Sequence, residues 1–417
     1  MTGEVRTSHR RAGLIAFLAV MGPGVIAGLS DDDPAGITTY SVLGAKYGYQ
    51  MIWTLIVSTI ALVLFQDLGA RIGVVTRQGL IGLIRQKYGA RAGALSATTL
   101  MLANLGTMAA EFAGIAAAGE LFGLTKYVSV PLAAIVVTLL VTRGNFGKIE
   151  RVFFALSAVF ICYVLAAFLA HPDWGSALHG SFVPSMPLTG DATFMATATL
   201  GTTLAPWGLT FIQSYAVDKR LTRDDLRHLR MDVWVGSILT AVIGFFVIVT
   251  CAATLHRQGI SINDASDAAR ALKPLAGDLA QALFAVGLIG AALLAASILP
   301  LSTAYAMSDL TGRPAALDDS PREAPLFYGT FTAVTIIAAA MILLPGVPLV
   351  TVLVASQVLN AVLLLPLMIY MYGISADRRL MGDYRSSRGM RAWYIAFIVI
   401  VSGAILAMFW FSMHSVA

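Results

Sequence analysis

Three consecutive aspartates, Asp31–Asp33, are the residues of this sequence with the clearest chemical potential. They stand in Gly28-Leu29-Ser30-Asp31-Asp32-Asp33-Pro34-Ala35-Gly36, inside an otherwise apolar stretch at about 12–46. Carboxylates, together with carbonyls that a proline-interrupted helix leaves open, form an oxygen-rich site that favours a hard cation. Asp33 also directly precedes Pro34, an arrangement that suits a helix N-cap followed by proline at the first helical position. The segment therefore predicts a cation site built on a helix break.

A second interruption, Gly201-Thr202-Thr203-Leu204-Ala205-Pro206-Trp207-Gly208, divides the apolar stretch at about 192–217. Unwound backbone at membrane depth survives only where it lines a cavity or is covered by protein. We expect open carbonyls near Ser30 and Thr202 to join the Asp33 carboxylate in the site. Successive residues of an unwound segment point in different directions, so Asp31 and Asp32 are each candidates for contact with the cation, directly or through water.

Three further polar residues lie inside apolar stretches. Glu111 is an ionisable residue at membrane depth and is functional by default, either as a proton carrier or as a fixed partner within the bundle. Gln357 and Asn360 each supply an amide near the expected level of the site. Gln357 is a candidate metal ligand and Asn360 a candidate proton or gating residue, and either amide could instead bond an opened backbone group.

The composition requires that these residues be held within a membrane bundle. The chain has 417 residues, of which 58% are hydrophobic and 12% charged, with a mean hydropathy of +0.78. Soluble domains carry roughly 25% charged residues, so we expect an all-α polytopic membrane protein with no soluble catalytic domain and no nucleic-acid partner. Cys162 and Cys251 lie in apolar runs and predict neither a disulfide framework nor a metal site. We expect no cofactor and no obligate protein partner besides the lipid bilayer.

Eleven candidate spans follow from the apolar runs, and Lys and Arg concentrate in the connections on one side of them. By the positive-inside rule the N-terminus is cytoplasmic and the C-terminus external, in what we expect to be a bacterial inner membrane. The spans are predicted at about 12–46, 51–70, 93–123, 127–142, 152–170, 192–217, 232–254, 276–309, 326–344, 347–373 and 392–413.

The two interruptions fall five spans apart, in spans 1 and 6. The two half-bundles then have opposite orientations, which is typical of an inverted repeat with its binding site at the midplane between the broken helices. We predict one transport domain over 1–417 with a LeuT-like 5+5 repeat: a first repeat at about 12–170, a second at about 192–373 and an accessory helix at about 392–413.

The residues at these positions resemble the motifs of the NRAMP family of divalent-metal transporters, and the likeness covers nearly the whole chain. The family's span 1 motif Asp-Pro-Gly-Asn is similar to Asp33-Pro34-Ala35-Gly36, and its span 6 motif Met-Pro-His is similar to Ala205-Pro206-Trp207. The Ala-Glu pair of span 3 corresponds to Ala110-Glu111. The Ser-Gln-Val run of span 10 corresponds to Ser356-Gln357-Val358.

The resemblance implies that several of the family's metal ligands are replaced in this sequence. The family holds its metal with the Asp, the Asn, the Met thioether and a carbonyl three residues before the Met. By position these are Asp33, Gly36, Ala205 and Thr202. A thioether favours softer transition metals, so Ala205 discards that selectivity, and Gly36 widens the cavity. Mg²⁺ usually retains several waters, and a wide acidic site suits it.

This pattern is similar to the NRAMP-related magnesium transporters, a branch that carries Mg²⁺ and Mn²⁺ and resembles an uncoupled uniporter. Trp207 stands at the family's histidine position, where it could gate the site or turn its ring face to a hydrated cation. Met108 stands at the position of a family aspartate, so the resemblance implies that the proton relay is mostly missing. The retained Glu111 leaves coupling open.

Three transport hypotheses follow. The first is a secondary transporter of hydrated Mg²⁺ and Mn²⁺ that works by alternating access without protons. The second is a proton-coupled Mn²⁺/Fe²⁺ symporter that uses Glu111 and Asp33. The third is a sodium-coupled carrier of small anions on the same scaffold, which the aspartates of span 1 disfavour. We do not expect an enzyme, because the carboxylates have no accompanying nucleophile and base.

Overall fold

The computed structural model describes residue 28 and residues 30–142, 159, 161–263, 265–273, 277–313 and 319–414, and every regular element among them is helical. The α-helices are α1 Pro34–Tyr47, α2 Ile52–Thr76, α3 Leu80–Tyr88, α4 Ala90–Leu121, α5 Lys126–Thr142, α6 Ile161–Leu169, α7 Trp174–Phe182, α8 Gly190–Thr203, α9 Pro206–Asp218, α10 Leu226–Thr254, α11 Ala265–Ala269, α12 Ala280–Thr311, α13 Pro325–Leu343, α14 Leu349–Ser375, α15 Arg378–Met381 and α16 Arg388–His414.

Seven helical segments in the described part of the chain are long and apolar enough to cross a bilayer. They are Ile52–Thr76, Ala90–Leu121, Arg223–Gln258, Ala280–Thr311, Pro325–Leu343, Leu349–Ser375 and Arg388–His414, and Lys126–Thr142 is a shorter apolar helix. They correspond in order to predicted spans 2, 3, 7, 8, 9, 10 and 11, with α5 as span 4. The total of eleven stays a prediction, and the first half of span 1 lies outside the described residues.

Both predicted helix breaks are present, and proline explains each of them. α1 begins at Pro34 after a bend at Asp32 and Asp33, and α9 begins at Pro206, with two residues between it and the end of α8 at Thr203. Proline has no N–H, so the carbonyl four residues earlier cannot receive its helical hydrogen bond. The two carbonyls affected are those of Ser30 and Thr202.

The helix pairs that pack together are those expected if two five-span repeats are related by a two-fold axis. α1 packs on α10, and the broken span formed by α8 and α9 packs on α2. α4 and α12, which correspond to spans 3 and 8, pack on each other. Most of α16 faces outward, as expected of an accessory helix. The boundaries of the two repeats stay predictions.

The far ends of α1 and α8 are joined by polar contacts. Lys46 Nζ lies 2.6 Å from a carboxylate oxygen of Asp191, and the Tyr47 hydroxyl donates a hydrogen bond to the same carboxylate. α1, which follows the first break, and α8, which precedes the second, are therefore in polar contact at their ends away from the breaks.

Two connections that the hydropathy pattern left without helices contain short ones. α3 lies in the 71–91 connection and α7 lies in the 171–191 connection. Asp173 begins α7 as its N-cap, because its carboxylate accepts a hydrogen bond from the Ser176 N–H at 3.1 Å. The hydrogen bonds from Ser176 hold the pKa of Asp173 below its usual value. Hydropathy finds spans and misses such amphipathic surface helices.

Candidate metal site at the two helix breaks

Asp33 forms the N-cap of α1, as its place before Pro34 predicts. Its Oδ1 accepts a hydrogen bond from the Gly36 N–H at 2.6 Å, and its carbonyl oxygen accepts one from the Ile37 N–H at 2.9 Å. The carboxylate is buried, and a carboxylate at a helix N-terminus is stabilised by the helix dipole. The hydrogen bond from Gly36 that caps the helix uses Oδ1 of this carboxylate.

Oxygen atoms from both breaks surround Gly36. A β-carbon built on Gly36 would lie 2.7 Å from the Asp31 carbonyl oxygen, 3.3 Å from Asp33 Oδ1 and 3.3 Å from Thr202 Oγ1. The Asp31 carbonyl thus occupies the place where a side chain at position 36 would begin. The glycine is required by this close approach, and it brings an oxygen of span 6 next to two oxygens of span 1.

Several polar atoms around the breaks are buried without a protein partner. In the described part of the chain, Ser30 Oγ, Thr202 Oγ1 and both carboxylate oxygens of Asp31 form no hydrogen bond. Leaving a polar group buried and unpaired costs free energy, so a group of them indicates a place that water or an ion fills.

Glu111 reaches the site from α4. Its side chain is completely buried near the Asp33 carboxylate, and neither of its carboxyl oxygens forms a hydrogen bond with a described residue. Gly114, three residues further along the same helix face, packs directly on the ring of Pro34. This contact holds α4 against the start of α1 and explains why Glu111 and Asp33 meet.

The three aspartates diverge, as expected of an unwound segment. The Asp32 carboxylate lies beside the Thr240 hydroxyl of α10. The Asp31 carboxylate points towards α2 and α9, where a β-carbon on Gly208 would lie 3.9 Å from Asp31 Oδ1 and 3.5 Å from Gln66 Nε2. Asp31 therefore contributes its carbonyl to the surroundings of Gly36 and its carboxylate to a neighbouring polar space.

The two amides of α14 bond to neighbouring side chains. Gln357 Nε2 donates to Ser356 Oγ at 2.8 Å, and Asn360 Nδ2 donates to Gln357 Oε1 at 3.1 Å and to Thr107 Oγ1 at 2.9 Å. These bonds tie α14 to α4. The backbone carbonyl of Gln357 also lies against Gly201 of α8, so the same residue packs next to the second break.

Ala205 and Trp207 belong to an apolar cluster beside the breaks. Ala205 is the N-cap of α9 and has no side-chain cap bond. The Trp207 ring is buried 6.3 Å from that of Phe211, among apolar residues of α12 such as Leu294 and Ile298. Position 207 thus contributes apolar packing, and the oxygen-lined side of the site is formed by other residues.

Two buried polar residues of α2 escaped the sequence analysis, and the first of them, Gln66, lies near the Asp31 carboxylate. Gln66 is completely buried in α2, with its Oε1 bonded by Ser237 of α10. Its neighbour Asp67 is buried and paired with Arg230 at 2.5 Å. Asp67 is a carboxylate within predicted span 2, and the argument that singled out Glu111 would have found it.

The sequence and the fold match known proteins over nearly the full chain. The model of the natural resistance-associated macrophage protein-like (Nramp) family matches residues 24–411. The chain is 26% identical over 412 residues to the divalent metal cation transporter MntH of Klebsiella pneumoniae, covering 96% of each chain. It is 27% identical to the MntH of Bacillus subtilis, covering 94% of this chain and 92% of that protein.

Solved structures with the same fold include two transporter families. The manganese transporter of Eremococcus coleocola aligns with a TM-score of 0.74 at 17% identity, covering 98% of this chain and 87% of that one. Mhp1, a nucleobase-cation-symport-1 family transporter, aligns with a TM-score of 0.60 at 15% identity, covering 94% and 91%. The MntH relatives and the Eremococcus protein are named as metal transporters, which confirms the prediction that this chain is not an enzyme. The family match over residues 24–411 shows that this chain belongs to the Nramp family.

Proposed function

We propose that this Nramp-family protein is an integral membrane transporter of divalent metal cations, and that Mg²⁺ and Mn²⁺ are its substrates. The cation binds between the two helix breaks and crosses by alternating access around them. In this proposal the protein lies in a bacterial inner membrane with its N-terminus in the cytoplasm. The MntH relatives are named as divalent metal cation transporters, and the Eremococcus protein as a manganese transporter.

The observation that carries the choice of a hard cation is the oxygen lining around Gly36. The Asp33 carboxylate, the Asp31 carbonyl and the Thr202 hydroxyl converge there. The nearby position 205 supplies a methyl group where the family has a thioether, so no soft ligand enters the set. Oxygen ligands suit Mg²⁺ and Mn²⁺, and Mg²⁺ keeps part of its water shell when one or two carboxylates bind it.

We propose further that uptake does not require protons. An inside-negative potential of 100 mV contributes about 4.6 kcal/mol to the entry of a divalent ion, which is enough to concentrate it. Trp207, at the family's histidine position, is packed in an apolar cluster, and Met108 at the aspartate position is also buried. Neither side chain can relay a proton.

Uptake by proteoliposomes with a pH-sensitive dye in the lumen tests this proposal. We expect Mg²⁺ and Mn²⁺ to enter under an inside-negative potential without acidifying the lumen. Empty liposomes under the same potential are the control. Entry of Mn²⁺ with acidification, and no entry of Mg²⁺, would contradict both the substrate and the uncoupled mechanism.

One observation favours the second candidate, a proton-coupled Mn²⁺/Fe²⁺ symporter. The carboxyl groups of Glu111 and Asp33 are both buried and lie near each other, and such a pair can hold and release a proton. Glu111→Gln separates the two mechanisms. A symporter loses the pH dependence of uptake in this variant, whereas an uncoupled carrier has little pH dependence to lose.

A further inference from the structure

A groove at the start of α10 combines a basic end with an apolar wall. It has a volume of about 600 Å³ and is lined at one end by Arg223, Arg227 and Arg230. Its wall continues with Met231 and Trp234 of the same helix. This groove, which we call the α10 groove, lies outside the helix breaks, and none of its lining residues belongs to the proposed metal site.

Two of its three arginines have no ion-pair partner in the part of the chain that the structure describes. Arg230 pairs with Asp67 of α2, but Arg223 and Arg227 form no ion pair with any described residue. Arg223 lies 5.3 Å from the centre of the Tyr384 ring, which orients the guanidinium without cancelling its charge. The adjacent Asp225 carboxylate is occupied by the Thr222 N–H and hydroxyl.

Below the arginines, exposed apolar side chains follow one face of α10. Met231 and Trp234 are each 47% exposed, Ile238 is 51% exposed and Val242 is 41% exposed. Their spacing of three or four residues places them on one stripe. The stripe extends for roughly 16 Å at 1.5 Å per residue, about half of the hydrocarbon thickness of a bilayer.

We infer that the α10 groove binds an anionic phospholipid, with its phosphate between Arg223 and Arg227 and an acyl chain along the apolar stripe. The groove and the apolar stripe that continues from it together have the profile of one lipid molecule, charged at one end and apolar over about half of the hydrocarbon thickness. α10 belongs to a bilayer-crossing segment, so a soluble partner could reach the arginines but could not follow the stripe into the membrane. Basic sites at the membrane surface attract anionic headgroups.

Native mass spectrometry of the purified protein, titrated with phosphatidylglycerol or phosphatidylcholine, tests the headgroup preference. Each interfacial arginine contributes a factor of about five, so R223Q/R227Q should weaken phosphatidylglycerol binding roughly 30-fold. R91Q/R388Q removes two exposed arginines elsewhere and should bind like the wild type. Equal affinity for both lipids, or an equal loss in both double variants, would overturn the inference. Displacement of the lipid by an equimolar amount of glycerol phosphate would also overturn it, because it would reveal a site for free anions.

Fluorescence quenching tests the position of the acyl chain. In nanodiscs that contain phosphatidylglycerol brominated on its acyl chains, Trp234 fluorescence should be quenched when only a small fraction of the lipid is brominated. Trp234→Phe should remove this component of the quenching. In R223Q/R227Q the same component should require a higher fraction of brominated lipid. Quenching of Trp234 that follows bulk lipid composition in both proteins would contradict a specific site.

Discussion

The replacement of Asp33 by asparagine separates the two roles that the structure gives this residue. Asp33 Oδ1 accepts the Gly36 N–H at 2.6 Å and so caps α1. Asparagine keeps an oxygen at this place and is an equally good N-cap, so Asp33→Asn removes the charge and preserves the helix start. Asp33→Ala removes both, and the lost cap adds a destabilisation of about 1 kcal/mol.

The size of the effect follows from the charges. A divalent cation with water between itself and the carboxylate lies about 4.5 Å away, and their attraction at an effective dielectric constant of 20 is roughly 7 kcal/mol. Desolvation of the ion and the carboxylate offsets most of this energy. With about a quarter of the attraction energy remaining after desolvation, the loss of the charge weakens cation binding by about 20-fold.

The assay is the initial rate of Mg²⁺ uptake into proteoliposomes as a function of Mg²⁺ concentration. We expect Asp33→Asn to need about 20-fold more Mg²⁺ for the same rate and to elute from size exclusion like the wild type. Asp33→Ala should lose at least as much transport and also some thermal stability. If Asp33→Asn transports like the wild type and only Asp33→Ala fails, Asp33 acts as a helix cap and the site assignment is wrong.

Three further predictions concern other parts of the molecule. Gly36→Ala places a methyl group 2.7 Å from the Asp31 carbonyl oxygen, so we expect Mg²⁺ uptake to fall about tenfold in the same assay with unchanged protein yield; normal uptake would contradict the proposed site. Ala205→Met adds a thioether at the second break, so competition assays should show a rise in Mn²⁺ uptake relative to Mg²⁺, and an unchanged ratio would place position 205 away from the ion. A hydrogen bond from Lys87 holds the pKa of Asp377 below its usual value of 3.8. A carboxyl group whose pKa is lowered in the folded state stabilises the protein at pH values above its unfolded-state pKa, and this stabilisation is lost as the pH falls. The wild type should therefore have a higher Tm than Asp377→Asn at pH 7, and the difference should shrink below about pH 4. A difference in Tm that grows on acidification would refute this.

The helix breaks could be predicted from the sequence because their cause is local. A proline within an apolar run removes one donor, and polar residues beside it mark backbone that must line a cavity. The same reasoning placed Asp33 as an N-cap, which the hydrogen bond to Gly36 confirms. The roles of the site residues in binding an ion stay predictions.

Other features depend on contacts between distant parts of the chain and could not be predicted from local sequence. The Asp31 carbonyl meets Thr202 around Gly36 only because α8 and α1 pack together. Trp207 was expected to gate the site or to lie near the cation, and its ring is packed among residues of α12. Which face of a short unwound segment meets a neighbouring helix is decided by tertiary packing.

The carbonyls that Pro34 and Pro206 leave unbonded have a consequence for how such a site can change during evolution. A main-chain oxygen is present whatever side chain stands at position 30 or 202, so point mutations there cannot delete it. In the proposed site, ion preference can therefore drift through positions such as 36 and 205 while these two carbonyl oxygens are inherited unchanged. A transporter built in this way can exchange one cargo for another by single substitutions, without passing through an ancestor that binds no ion.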